Sequence, residues 1–229
     1  LLKKVAAMDK PADVVEALET PAAAKAKAKE DGGVAPPPPL SAAVKEALSD
    51  AAVSAAPNMR PADIAKVLNG FADAGVAPSA KAKQALNDAV VREAPKMGAS
   101  AIGDTLRAFD AAGTTPSAEA ARALADAVAR EAPTMDPAQI ADVLRAHAET
   151  KTKLSPVSRA ALDAAVAREA ARMTPEETAD TILAYGAADV APPPELLKKV
   201  AAMDKPADVV EALEKIAAAK AKAKEGGGV

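Results

Sequence analysis

Phe71, Phe109, His147 and Tyr185 stand 38 residues apart, and they are every aromatic residue and the only histidine of a 229-residue chain. Two chemistries come to mind for such a column. Rings at a fixed spacing could stack nucleobases, and an imidazole could ligate a metal or relay a proton. The second lacks company: with one His and no Cys there is no metal-ligand spacing. No acid pair, Ser-His-Asp set or phosphate-cradling glycine loop accompanies it either. We therefore expect no catalytic residue, no metal, no cofactor, no small-molecule substrate and no enzyme. The stacking chemistry competes with a plainer one. Each ring follows Leu68, Leu106, Leu144 or Ile182 by three positions, on the apolar stripe of an amphipathic helix, where a core knob belongs. We read the column as core, with His147 a half-buried packing residue whose polar edge is satisfied.

The elements that hold this column repeat with it. Met59, Met97, Met135 and Met173 keep the 38-residue interval, as do Leu48, Leu86, Leu124 and Leu162. Ile64, Ile102 and Ile140 follow the same ruler with Thr178 as fourth member, and Pro57, Pro95 and Pro133 with Ala171. Arg92-Glu93, Arg130-Glu131 and Arg168-Glu169 also keep step. Four repeats therefore occupy 35–195. In each, a first helix follows the Met. Thr174 with Pro175 and Glu177 forms a capping box at one such start, and Asp136 with Pro137 and Gln139 at another. Gly75 and Gly113 end two of the first helices, where the chain must turn left-handed. A second helix starts after Pro78, Pro116 or Pro156 and runs to an Ala-Pro-x-Met turn. On it Asp88 and Arg92, or Asp126 and Arg130, stand four apart with the acid first, a favourable surface pair.

Composition agrees. Half of the residues are hydrophobic, mostly alanine, and aromatics are 1%. Alanine is the best helix former, nothing alternates as a strand would, and close helix approach must replace bulky side chains. The expected fold is all-α: an α-solenoid of stacked antiparallel helix pairs with a degenerate C-terminal cap. No run is long and apolar enough for a membrane span.

The string Met-x-Pro-x-x-Ile-Ala-x-x-Leu, best seen in MRPADIAKVLNGFADAG (59–75) and MDPAQIADVLRAHAE (135–149), resembles the octotricopeptide repeat. The resemblance spans 35–195 well and 196–216 weakly. It implies a helical-pair repeat protein of an organelle (mitochondrion or plastid), associated with RNA in transcript maturation, stability, translation or ribosome structure. The family's usual motif runs approximately Pro-Gln-Asp-Leu-Ala-Asn-Thr-Leu-Trp-Ala-x-Ala-x-Leu-Gly, followed by Pro-Pro-x-x-Trp; its first Trp falls here at Asn69, Arg107, Arg145 and Leu183, and its second is absent. Lys66, Asn69, Arg107 and Arg145 are the candidate inner-face binding positions, for RNA in a local basic groove or simply as solvated helix surface. The array argues for the latter, with 16 Lys and Arg against 21 Asp and Glu in 35–195, because RNA-binding domains present a basic footprint. The expected function is a non-enzymatic scaffold, an accessory subunit that binds protein neighbours in a large organellar assembly. Direct RNA binding is the alternative.

A second, longer period brackets the array. Residues 1–19 reappear letter for letter at 196–214, and over 34 paired positions only Thr20/Lys215, Pro21/Ile216 and Asp31/Gly226 differ. We divide the chain into 1–34 (duplicated cap, Lys/Ala tail and Gly/Pro linker), the array 35–195, and 196–229 (degenerate capping repeat and Lys/Ala tail). Lys220, Lys222 and Lys224 form no single basic stripe, since residues two apart lie about 200° apart on a helix. Pro36 to Pro39 read as a spacer. The opening LLKK has no initiator Met and is no signal peptide, so we expect a processed or cut chain. The offset of 195 is not a multiple of 38. That suggests 35–229 is one unit of a tandem series and 1–34 the end of the unit before; a sequence-assembly duplication is the other reading.

Overall fold

The computed structural model describes residues 10–18, 40–203 and 210. Among the described residues the chain is all-helical, without strands. Residues 11–18 form α1. The rest are α2 (Ala42–Ala55), α3 (Pro61–Ala74), α4 (Ala80–Glu93), α5 (Ala99–Ala111), α6 (Ala118–Glu131), α7 (Pro137–Glu149), α8 (Pro156–Glu169), α9 (Pro175–Ala187) and α10 (Pro194–Ala201). The sequence period is thus a structural period. First helices start at 61, 99, 137 and 175, and second helices at 42, 80, 118, 156 and 194, each series stepping by 38. The expected linker, the Lys/Ala tails and most of both echoed segments lie outside the described residues.

Serines set the start of the second helices. Ser41, Ser79, Ser117 and Ser155 keep the 38-residue step, and their hydroxyls accept from the N–H groups of Val44, Ala82, Ala120 and Ser158 at 3.4, 3.2, 3.1 and 3.0 Å. Each such cap satisfies an orphan donor and is worth about 1 kcal/mol. At the fifth start Pro193 stands in the column and offers no cap bond. The helix expected after Pro156 begins on it, because Ser155 takes the cap and proline suits the first helical position. The two capping boxes are present: Asp136 with Gln139 and Thr174 with Glu177.

First helices end in one motif. The N–H of Val76 donates to Phe71 O at 2.9 Å, Thr114 to Phe109 O at 2.9 Å, Thr152 to His147 O at 3.0 Å and Val190 to Tyr185 O at 3.0 Å. The residue between must turn left-handed. Gly75 (φ 66°) and Gly113 (φ 63°) do so without a Cβ, but the same step places Lys151 (φ 52°) and Asp189 (φ 56°) in that conformation.

The chain divides into two compact units, Leu1–Met97 with Asp104–Ala127, and Gly98–Gly103 with Val128–Val229. In the first unit α2 packs on α4, and α3 on α4. In the second, α7 packs broadly on α9, while α10 lies against α8 and α9. Like elements of adjacent repeats therefore meet side by side, α2 with α4 in the first unit, and α7 with α9 and α8 with α10 in the second, and the interiors are built from alanine, leucine and valine around the four methionines of the ruler. Second helices also hold the turn of the preceding repeat. Nη2 of Arg92 donates to Ala56 O (2.9 Å) and Met59 O (3.0 Å). Arg168 repeats this on Ala132 O (3.3 Å) and Met135 O (2.9 Å). These are the carbonyls at the start and just past the end of the 3-10 turns Ala56–Asn58 and Ala132–Thr134; Ala56 O and Ala132 O also accept the N–H of Met59 and Met135, so the arginine takes their second lone pair. The expected surface pair of Asp88 with Arg92 does not form: Arg92 reaches backward to the turn and pairs with Glu93, and Asp88 accepts from Gln84. From this position one guanidinium meets three acceptors at once, the two carbonyls through Nη2 and Glu93 through Nε, whereas Asp88 is solvated and already accepts from Gln84. Arg130 pairs with Glu131 at 3.1 Å.

Candidate interaction face

Of the four candidate inner-face positions, two belong to α3, one to α5 and one to α7. Lys66 and Asn69 are exposed on α3, one turn apart on the side away from buried Ile64, Val67, Leu68 and Phe71. Arg107 on α5 is partly exposed, with its side chain 3.7 Å from Asp104. On α7, Arg145 Nη1 donates to both carboxylate oxygens of Asp180 on α9, each at 2.7 Å, with the two side chains 26% and 29% exposed. Sequence reasoning singled out Arg145 and left Asp180 unnoticed. The signal was there in the ruler, since Lys66, Asp104, Asp142 and Asp180 form a column three positions before Asn69, Arg107, Arg145 and Leu183. Three of its four members are acidic.

Beside this pair lies a cleft of about 270 Å³ between the N-terminal ends of α7 and α9, lined by Pro137, Ala138, Glu176, Glu177 and Asp180. Two of its three carboxylates are committed: Asp180 to Arg145, and Glu177 to the N–H of Thr174 at 2.8 Å. Among the described residues no group of His, Asp or Glu could hold a metal ion.

The ring column lies on the opposite side of the same helices. Phe71 is 0%, Phe109 1%, Tyr185 0% and His147 8% exposed, so none offers a face to a base. The Tyr185 hydroxyl donates to Asp163 Oδ1 at 2.8 Å, and burial with the carboxylate beside it pushes the phenol well above its ordinary range. Asp163 is available for the reason that the fold changes there. Its column mates Ser49 and Asn87 accept the N–H of the next repeat's cap serine, Ser79 at 3.1 Å and Ser117 at 2.7 Å. Pro193, which follows Asp163 at the same distance, has no N–H to give.

His147 Nδ1 meets Thr152 Oγ1 at 2.9 Å, and Thr152 Oγ1 meets Thr150 Oγ1, also at 2.9 Å. Burial holds the imidazole below its usual pKa, with the bond at Thr152 opposing. Its Nε2 is buried without a partner, so the expected full satisfaction of the polar edge is corrected. The ring was placed by packing, and packing supplies only one polar neighbour.

Among the described residues the chain is thus all-helical with a 38-residue structural period, and the Arg145–Asp180 ion pair joins two of its first helices. Comparison with protein-family models finds no match, and comparison with curated proteins finds none.

Proposed function

We propose that the chain is a non-enzymatic scaffold, an α-solenoid of stacked antiparallel helix pairs that binds protein neighbours as an accessory subunit of a large assembly. The side-by-side packing of α7 with α9, and of α2 with α4, supports the stacked arrangement. The resemblance to octotricopeptide repeats motivates an organellar setting. The observation that carries the choice of partner is the pair Arg145–Asp180: the candidate cation already donates its Nη1 to both oxygens of a carboxylate on the next first helix. Phosphate contact would have to break that pair, within an array of 35–195 that carries five more acids than bases. Paired charges and partly exposed apolar stems suit a protein surface, where complementarity sets specificity and encounter.

The test is purification of the native assembly before and after RNase, together with RNA titration at low salt. Co-purifying polypeptides should survive RNase, and the isolated chain should show no RNA affinity. Tight RNA binding that weakens steeply with salt, and is lost in Arg107→Gln plus Arg145→Gln, would replace this reading with direct RNA binding.

A further inference from the structure

Gly70 breaks the repeat. Its column mates are Ala108, Ala146 and Ala184, all small yet all bearing a Cβ. The reason is α1. A Cβ at position 70 would stand 2.8 Å from Leu18 Cβ and 3.1 Å from Leu18 Cδ1, so the helix 11–18 seats its last leucine directly on the α3 backbone. Val14 and Leu18, four residues apart and so on one face of α1, are both 0% exposed. The α1 sequence PADVVEAL carries the first-helix pattern, with Pro11, Val14 and Leu18 matching Pro61, Ile64 and Leu68. The first repeat is therefore fitted, by one substitution in its own column, to receive this particular helix.

Those eight residues occur twice. Residues 206–213 are PADVVEAL again, with Val209 and Leu213 in the places of Val14 and Leu18. Val15 is half-buried against the first unit, whereas its counterpart Val210 is 53% exposed. We propose that segment 206–213 of one molecule docks on the Gly70 face of a second copy of this chain, so that copies join head to tail, in competition with each molecule's own α1. The occupant is fixed by identity of sequence: whatever complementarity seats Leu18 on Gly70 is available unchanged to Leu213 of another molecule. A linked α1 competes at a high effective concentration, so it acts as a plug that limits the joining. The proposal is independent of which protein or RNA the rest of the array contacts.

Sedimentation velocity of the full chain carrying Val14→Glu and Leu18→Glu tests it, because these changes unplug the face and leave Val209 and Leu213 intact. The sedimentation coefficient should climb with protein concentration, and return to the monomer value at every concentration once Val209→Glu and Leu213→Glu are added. A variant that stays monomeric throughout, or whose association survives the added pair, overturns the proposal. A second variant tests the seat without introduced charge. Gly70→Ala adds a Cβ that would stand 2.8 Å from the Cβ of a seated leucine, whether that leucine is Leu18 or Leu213 of another molecule. Added to Val14→Glu and Leu18→Glu, it should weaken the association several-fold. Association of undiminished strength overturns the proposal as well.

Discussion

In the first unit each first helix carries phenylalanine in the ring column, Phe71 and Phe109, and glycine four residues later, Gly75 and Gly113. In the second unit the rings are His147 and Tyr185, and the residues four later are Lys151 and Asp189. Backbone and ring position are the same in both: each ring's carbonyl closes the helix end, and each ring fills the core. The units differ in what surrounds the ring. Thr150 stands where the first two repeats have Ala74 and Ala112 and pairs with Thr152 beside His147, and Asp163 stands where the first two repeats have Ser49 and Asn87, which are occupied by cap N–H groups. A ring of the right shape is demanded by the packing, and its polarity is set by whether a partner lies within reach.

Exchanging the rings should break the symmetry most sharply. Phe71→His places an imidazole where no Thr152 waits, losing apolar burial and stranding polar nitrogens, and should cost about 2–4 kcal/mol. His147→Phe removes the unpartnered Nε2 and should change stability by less than about 1 kcal/mol. Urea unfolding of the two single variants reads both. Equal losses from the two exchanges would mean that ring shape alone governs the column.

The arginine clamp is common to both units, so its removal should be felt equally. Arg92→Ala and Arg168→Ala each leave two carbonyls of a preceding turn short of a donor. Because both side chains are more than a third exposed, water takes over part of the bond, and about 1–2 kcal/mol is the expected loss in each. Lysine at either position should recover only part of it, since a single ammonium lacks the guanidinium's planar fork. A much larger effect at Arg92 than at Arg168 would show that the turns are not equivalent.

The helix ends should respond in opposite directions. Lys151→Gly removes a Cβ from the left-handed region and should stabilise by about 1 kcal/mol, and Gly75→Lys should lose a similar amount. Thermal unfolding checks both. Stabilisation by glycine should also hold at Asp189, although asparagine-like side chains tolerate this region better than lysine does.

Much of this was legible before any coordinates, and the pattern of what was not is physical. The ruler through Met59, Leu48 and Ile64 states the helix pairs, since a 38-residue column can persist only if each repeat folds alike. The capping boxes at Asp136 and Thr174 and the glycine turns at 75 and 113 are local, and local chemistry can be read from neighbouring letters. The serine caps at 41, 79, 117 and 155 are equally local, but at three of them a neighbouring proline gives the more conspicuous start signal. The Arg92 clamp was misassigned because its acceptors lie 36 and 33 residues back, and a sequence presents Asp88 four residues away as the nearer partner. Asp180 was missed for Arg145 for the same reason, at a separation of 35. Columns reveal which residues are equivalent; only the packing reveals which column faces which. Gly70 shows the difference well, a departure plain in the letters whose cause, Leu18, lies 52 positions earlier.

The smallest effect expected is a pH dependence confined to the second unit. Burial lowers the folded-state pKa of His147 below its unfolded value, so below an ordinary histidine pKa of about 6.5 the unfolded chain binds the proton more readily than the folded one. Stability is then complete above that pH and declines as the pH falls through the unfolded pKa toward the folded one. Nearby charges do not reverse the sign: the cleft beside the ring holds Lys151, Lys153 and Asp189, two cations against one anion, so a third positive charge on the ring gains nothing there. Phe71 and Phe109 give the first unit no such term. The decline between pH 7.5 and 5.5 should be present in the parent chain and reduced in His147→Phe, with unfolding followed at each pH. Titration of carboxylates such as Glu93, whose ion pairs with Lys96 and Arg92 more than offset burial and hold it below its ordinary range, enters only at lower pH. A decline of equal size in His147→Phe would move its origin away from the imidazole, and with it the claim that packing at this position outranks protonation.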